Sequence, residues 1–167
     1  VSNSTISGNT GGTFGGGIFN NFGATLTVTN STLSGNSAKY GGGIFNHSFA
    51  NLNISNSTLS GNTAGRDGGG IYNNGTLTVN NSTISTNTAT LSRGGGIFNN
   101  SGATLTVSNS TLSGNSAANQ GGGIYNTSNL TVTNSTLSGN TAGSSGGGIY
   151  NRSGTLNVTN STLSGNT

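Results

Sequence analysis

The sequence contains no cysteine, proline, methionine or tryptophan, and only five of its 167 residues, four basic and one acidic, are charged. Without cysteine, neither a disulfide framework nor a thiolate metal site can form. Four scattered cations cannot make the dense basic stripe that a nucleic-acid interface needs. No apolar run approaches the roughly 20 residues of a membrane-spanning helix. We therefore expect no nucleic-acid partner and no membrane insertion by this segment.

Four small or polar residue types dominate what is present. The chain has 32 Gly, 29 Asn, 27 Thr and 26 Ser, which together make up 114 of its 167 residues. Polar, glycine-rich chains are often disordered, but such chains usually rely on charge or proline, and both are scarce here. The few aliphatic residues also recur at fixed positions, which indicates a folded repeat.

Two short motifs alternate along the chain. Asn-Ser-Thr-Leu/Ile-Ser occurs seven times, and Gly-Gly-Gly-Ile-Phe/Tyr-Asn occurs six times between those copies. The first motif starts at Asn3, Asn30, Asn56, Asn81, Asn109, Asn134 and Asn160. From Asn3 to Asn160 is 157 residues over six steps, a period of about 26. A constant period of this length is typical of a solenoid.

Each repeat unit holds three blocks of constant internal spacing: Gly-Gly-Gly-Ile-aromatic-Asn, Leu-x-Val/Ile-x-Asn and Ser-Thr-Leu/Ile-Ser-x-Asn. Length changes fall only after the aromatic-Asn pair and before the next glycine triplet. In the second block, Leu26 and Val28 alternate with threonines, as in a strand with one dry face. Three short strands and two loops per coil predict an all-β, three-sided parallel solenoid of about six coils.

This register predicts what lies inside and outside each coil. Ile18, Leu26, Val28 and Leu33, with their equivalents, should form four inward columns. A flat outward hydroxyl face is predicted at Thr5, Thr32, Thr58, Thr83, Thr111, Thr136 and Thr162, with a serine two residues later in each coil. Flat threonine arrays of this kind resemble the ice-binding faces of some antifreeze proteins, although small β-branched residues also suit any exposed strand.

Asparagine recurs where the strand phase slips, and it tolerates a left-handed backbone while its amide can bond to neighbours. We predict a structural asparagine ladder at Asn20, Asn46, Asn73, Asn99, Asn126 and Asn151. Two more ladders, starting at Asn30 and Asn36, are predicted near the other corners.

An aromatic column follows the inward isoleucines at Phe19, Phe45, Tyr72, Phe98, Tyr125 and Tyr150. Alternation points these rings outward, and the exchange of Phe for Tyr agrees with that direction. The column is either an open contact stripe for other solenoids or for sugar rings, or it is covered by the neighbouring loops.

Both ends of the chain show the same motif in the same phase, and neither resembles a solenoid cap. We expect residues 1–167 to be a single uncapped array, either part of a longer chain or a protomer that associates by axial stacking or lateral bundling.

The pairing of Gly-Gly-Gly-Ile (Gly15 to Ile18) with Leu33-Ser-Gly-Asn36 resembles the polymorphic outer-membrane protein repeat of chlamydial autotransporters, which alternates Gly-Gly-Ala-Ile with Phe-x-x-Asn. The resemblance covers nearly the whole chain. It implies a right-handed parallel β-helix that serves as a bacterial surface-displayed passenger or adhesin.

Catalytic chemistry has few candidates. The single acid, Asp67, and the single imidazole, His47, fall in different loops of adjacent coils. The glycine triplets lack the Lys-Ser/Thr of a phosphate loop. We predict no enzyme, no cofactor and no metal. The function we expect is an extracellular structural or adhesive solenoid, with ice binding and glycan binding through the aromatic column as alternatives.

Overall fold

The computed structural model describes residues 1–167, and its regular secondary structure consists of 24 strands with no helix. Each strand pairs in parallel with its equivalent one coil away, so the chain winds about six times as a β-solenoid. The predicted all-β fold class and parallel stacking are confirmed. No helix that could cross a membrane is present.

Three of the four sheets coincide with the predicted blocks. Sheet 1, built from Ile-aromatic-Asn, has six strands: Ile18–Asn20, Ile44–Asn46, Ile71–Asn73, Ile97–Asn99, Ile124–Asn126 and Ile149–Asn151. Sheet 2 also has six: Thr25–Thr29, Asn51–Ser55, Thr76–Asn80, Thr104–Ser108, Asn129–Thr133 and Leu156–Thr159. Sheet 3 has seven: Thr5–Ser7, Thr32–Ser34, Thr58–Ser60, Thr83–Ser85, Thr111–Ser113, Thr136–Ser138 and Thr162–Ser164.

A fourth sheet lies in a segment that the sequence analysis treated as loop. Its two-residue strands are Ser37–Ala38, Thr63–Ala64, Thr88–Ala89, Ser116–Ala117 and Thr141–Ala142. The alanine of each strand points inward, and four of the five are buried. The stack therefore has a fifth, narrow apolar column beside the four aliphatic ones, and the variable loop is shorter than predicted.

The core is one continuous cluster of 18 buried aliphatic residues, which runs the length of the stack. It consists of the predicted columns, with Ile18 and Leu26 of the first full coil packed against it at partial burial. Because each coil contributes only a few such side chains, apolar burial alone cannot hold a single coil, and stability requires stacking.

Close packing explains the glycine triplets, as the fourth full coil shows. Gly94 has a φ of 67°, a left-handed backbone that disfavours side chains. A Cβ on Gly95 would lie 2.4 Å from the Ser116 carbonyl oxygen of sheet 4 and 2.5 Å from that of Gly122. The triplet lets one coil turn tightly against the next, which is a structural role.

Candidate functional site

The predicted asparagine column of sheet 1 forms a hydrogen-bonded ladder. Five Nδ2 groups each donate to the Oδ1 of the next coil over 2.7–2.8 Å, along the series Asn20, Asn46, Asn73, Asn99, Asn126 and Asn151, in which Asn151 only accepts. The four inner members are fully buried, and several Nδ2 groups also donate to backbone carbonyls. This column ties coil to coil, and the amides of its four inner members are buried away from any ligand.

The two further columns that we predicted at corners behave differently from each other. The Asn36 column is a second buried ladder, in which both the backbone N–H and Nδ2 donate to the next Oδ1. The Asn30 column is exposed and has a φ of 47–49°, so it shapes the corner through its backbone. The predicted amide ladder at Asn30 is wrong; the buried Ser31 column replaces it, since each serine N–H donates to the next serine Oγ over 3.1 Å.

The aromatic column of sheet 1 forms a continuous stack. Successive centroids lie 4.8–5.4 Å apart and successive ring planes differ by 3–24°, at Phe19, Phe45, Tyr72, Phe98, Tyr125 and Tyr150. Offset stacking at this spacing is favourable beyond simple burial.

The stack is mostly covered, so the structure favours the second of the two alternatives, a column covered by the neighbouring loops. Phe45, Phe98 and Tyr125 are buried, and only Phe19, at 42% exposed, presents a large open surface. Aromatic residues from the loops before the glycine triplets cover the stack. The Phe14 ring centroid lies 4.6 Å from that of Phe45, and the Tyr40 ring centroid lies 5.6 Å from that of Tyr72. The rings therefore offer few free faces to a sugar or to another solenoid.

An ion pair completes this cover. The Arg93 Nε–H donates to Asp67 Oδ1 over 3.0 Å, and the Arg93 guanidinium carbon lies 4.9 Å from the Tyr125 ring centroid and 5.1 Å from that of Phe98.

The surroundings of this ion pair shift two pKa values. Burial lowers the pKa of Arg93, but hydrogen bonds to Asp67 and Tyr125 outweigh the effect of burial, and the net pKa of Arg93 is raised. Burial, helped by the Asp67 charge, raises the pKa of Tyr72 to about 12.

His47 and Asp67 line one cleft of about 370 Å³, together with Tyr72 and Arg93. His47 Nδ1 accepts the Ser48 N–H over 2.7 Å, which leaves Nε2 to carry the proton of the neutral ring. Asp67 is buried and bonded to Arg93. No group of three or more His, Cys, Asp or Glu side chains that could hold a metal is present.

The outward threonines of sheet 3 lie in unbroken register, as Thr5, Thr32, Thr58, Thr83, Thr111, Thr136 and Thr162. A parallel serine column lies two residues on, from Ser7 to Ser164. The corresponding face of sheet 2 is interrupted, because Asn51 and Asn53 replace the threonines of the neighbouring coils. Sheet 3 thus carries the more regular hydroxyl surface.

The loops after sheet 1 differ in length, and clefts lie beside the short ones. Residues 74–75 form a two-residue loop between the four-residue loops 47–50 and 100–103. The gap is a cleft of about 250 Å³, lined in part by Phe49, Asn74 and Ser101. A second short loop, 127–128, lies beside a cleft of about 370 Å³ lined in part by Arg93 and Arg152.

Sequence reasoning missed two exposed aromatic residues in these loops. Phe22 is 62% exposed and Phe49 is 77% exposed, and their centroids lie 5.2 Å apart in an edge-on contact. The available signal was their departure from the repeat, since neither belongs to the three blocks.

A family model described as right handed beta helix region matches residues 16–167. Comparison with curated proteins and with solved structures finds no match. The matching family is broader than the polymorphic outer-membrane repeat family, and membership of the narrower one stays a prediction.

Proposed function

Because the chain belongs to the family of right-handed β-helix regions, we propose that it is a non-enzymatic structural and adhesive scaffold displayed on the outside of a bacterial cell. Some β-helix proteins are enzymes that act on polysaccharides, so family membership does not decide whether this chain is an enzyme. We infer the absence of catalysis from the side chains of this chain. The resemblance to the polymorphic outer-membrane repeat supports the finer proposal of a surface passenger.

One observation carries the proposal: the recurring polar side chains bond coil to coil. The ladders from Asn20 and Asn36 and the serine column from Ser31 run from coil to coil without interruption. The single acid is bonded to Arg93. Such a molecule is a stiff rod with variable loops on both sides of sheet 1, which suits the display of contact surfaces better than turnover of a substrate.

The low charge of the chain favours a second copy of the same chain as its partner. Five charged residues provide little electrostatic repulsion between copies of the chain. We propose lateral bundling of rods, with cell-surface glycans as the other class of partner.

Adhesion of coated beads tests the proposal. Beads carrying the purified chain should clump or bind to cell surfaces more than beads carrying heat-denatured chain do. Folded chain that neither clumps nor adheres would overturn the adhesive role, and release of reducing ends from polysaccharides would overturn the absence of catalysis. Labelling intact producing cells with antibody tests the surface location.

Ice binding is a second candidate, and the unbroken threonine and serine columns of sheet 3 favour it. If it is correct, the purified chain will shape ice crystals and produce thermal hysteresis. Thr111→Lys, in the middle of the column, will abolish both effects without unfolding the protein. Absence of hysteresis in the folded wild-type chain would remove this candidate.

A further inference from the structure

The loop containing Phe49 departs from the backbone chemistry of its equivalents. The third residue of each four-residue loop after sheet 1 has a left-handed backbone, with φ values of 61° to 82° at Gly23, Phe49, Gly102 and Gly154. Three of these residues are glycine and one is phenylalanine. A bulky side chain in this region is strained by roughly 1–2 kcal/mol relative to an ordinary backbone.

Burial does not offset the strain at Phe49. Its side chain is 77% exposed, the largest fraction among the exposed large hydrophobic residues of the molecule. Glycine, which three equivalent loops carry, would make the same turn without strain. The phenylalanine is therefore explained better by what its ring contacts outside the protein than by stability.

The cleft beside Phe49 is built by loop length. The two-residue loop 74–75 recedes between loops 47–50 and 100–103, and Gly75 allows the close approach, because a Cβ there would lie 2.2 Å from the Ala50 carbonyl oxygen. The resulting cleft has a volume of about 250 Å³. Phe22 of the preceding coil contacts the Phe49 ring edge-on.

The lining of this cleft has a distinct chemistry. Besides Phe49 it contains Ser48, Asn74, Thr76 and Ser101, and no charged side chain. Asn74 Oδ1 accepts from Asn100 Nδ2, but the Asn74 Nδ2 and the three hydroxyl groups have no hydrogen-bond partner in the protein. One aromatic face and several free neutral hydrogen-bonding groups suit a ligand with an apolar face and a rim of hydroxyls.

We propose that the Phe49 cleft binds a neutral pyranose unit of a polysaccharide. The sugar ring stacks on Phe49, and its hydroxyls bond to Ser48, Asn74 and Ser101. The absence of charge in the cleft disfavours phosphates and uronic acids, which call for a cation. This deepens the adhesive part of the proposed function, on which it rests, by naming the class of surface that the scaffold holds.

The test measures retention of the 167-residue chain in native gels cast with dextran, mannan or galactan, with dextran sulfate as the charged comparison. At least one neutral polysaccharide should retard the wild-type chain, and dextran sulfate should do so less. Phe49→Gly restores the residue of the equivalent loops. It should weaken retention at least tenfold while its thermal midpoint does not fall.

The matched control is Leu91→Ala, which removes an apolar side chain of similar exposure, 71%, from a different loop. Leu91→Ala should bind as the wild type does. Retention unchanged by Phe49→Gly, stronger retention by dextran sulfate, or no retention by any neutral polysaccharide would each overturn the inference. Bead clumping without polysaccharide retention would overturn this inference and leave the scaffold function standing, so the two failures are distinguishable.

Discussion

At the scale of single residues, asparagine has two opposite roles in this molecule. Asn87, in the Asn36 column, is fully buried, and its side chain bonds to Asn62, Leu59 and Asn115. Asn134 is exposed at a corner with a φ of 49°. The first position requires the amide, whereas the second requires only a backbone that tolerates the left-handed region.

The same substitution at these two positions should therefore have different effects. Asn87→Gly removes the acceptor of two Asn62 donors in the interior, and we expect a loss of roughly 3 kcal/mol in the free energy of unfolding. Asn134→Gly should change it by less than about 0.5 kcal/mol, because glycine adopts this backbone freely. Urea denaturation of both variants measures the two changes. Equal losses in the free energy of unfolding would contradict the proposal that the two asparagines have different roles.

Tyr72 makes stability depend on alkaline pH. Its pKa is raised from 10.0 to about 12 in the folded chain, mainly by burial. Between pH 10 and 12 the Tyr72 hydroxyl ionises in the unfolded chain before it does so in the folded chain. The free energy of unfolding is therefore unaffected by this group below pH 10 and falls as the pH rises towards 12. Tyr72→Phe should reduce that loss and remove the component that titrates near pH 12 from an absorbance titration. An unchanged titration curve would contradict the burial of this hydroxyl.

At the scale of elements, the strands that carry a periodic apolar signal were predictable. Leu26 and Val28 alternate with polar residues, so sheet 2 and its inward face could be read from the sequence. The strands of sheet 4 could not, because two residues such as Ser37–Ala38 are too short to show alternation. The sequence could not decide between an open and a covered aromatic column, since the cover over Phe45 and Tyr125 depends on where Phe14 and Arg93 of variable loops pack.

The tight packing of the glycine triplets against sheet 4 predicts that alanine substitutions at two glycines will have different effects on stability. Gly95→Ala places a methyl group within 2.6 Å of backbone atoms on two sides, and we expect a loss of about 3 kcal/mol or more. Gly12→Ala meets no atom within 4 Å, so it should be close to neutral. Thermal unfolding followed by circular dichroism compares them; a tolerated Gly95→Ala would mean that the coils are less tightly packed.

At the scale of the whole molecule, the sheets and the loops have different roles. The sheets and their ladders repeat from coil to coil and hold the rod together. The loops after sheet 1 differ from coil to coil in length and in residues such as Phe22, His47, Phe49 and Arg152. We therefore expect the loops after sheet 1 to recognise a partner surface, and the sheets to hold the coils together.

The most direct test of this division replaces the loop residues and leaves the sheets intact. The variant Phe22→Ser, His47→Asn, Phe49→Gly and Arg152→Asn gives these positions the residues found at Asn100, Ser101 and Gly102. Its control, Thr27→Ser, Thr78→Ser, Thr106→Ser and Thr131→Ser, alters the exposed face of sheet 2 instead. Bead adhesion is measured for both, with circular dichroism to verify the fold. We predict that the loop variant stays folded and loses adhesion while the control keeps it; a folded loop variant that adheres as strongly as the wild type would contradict the account.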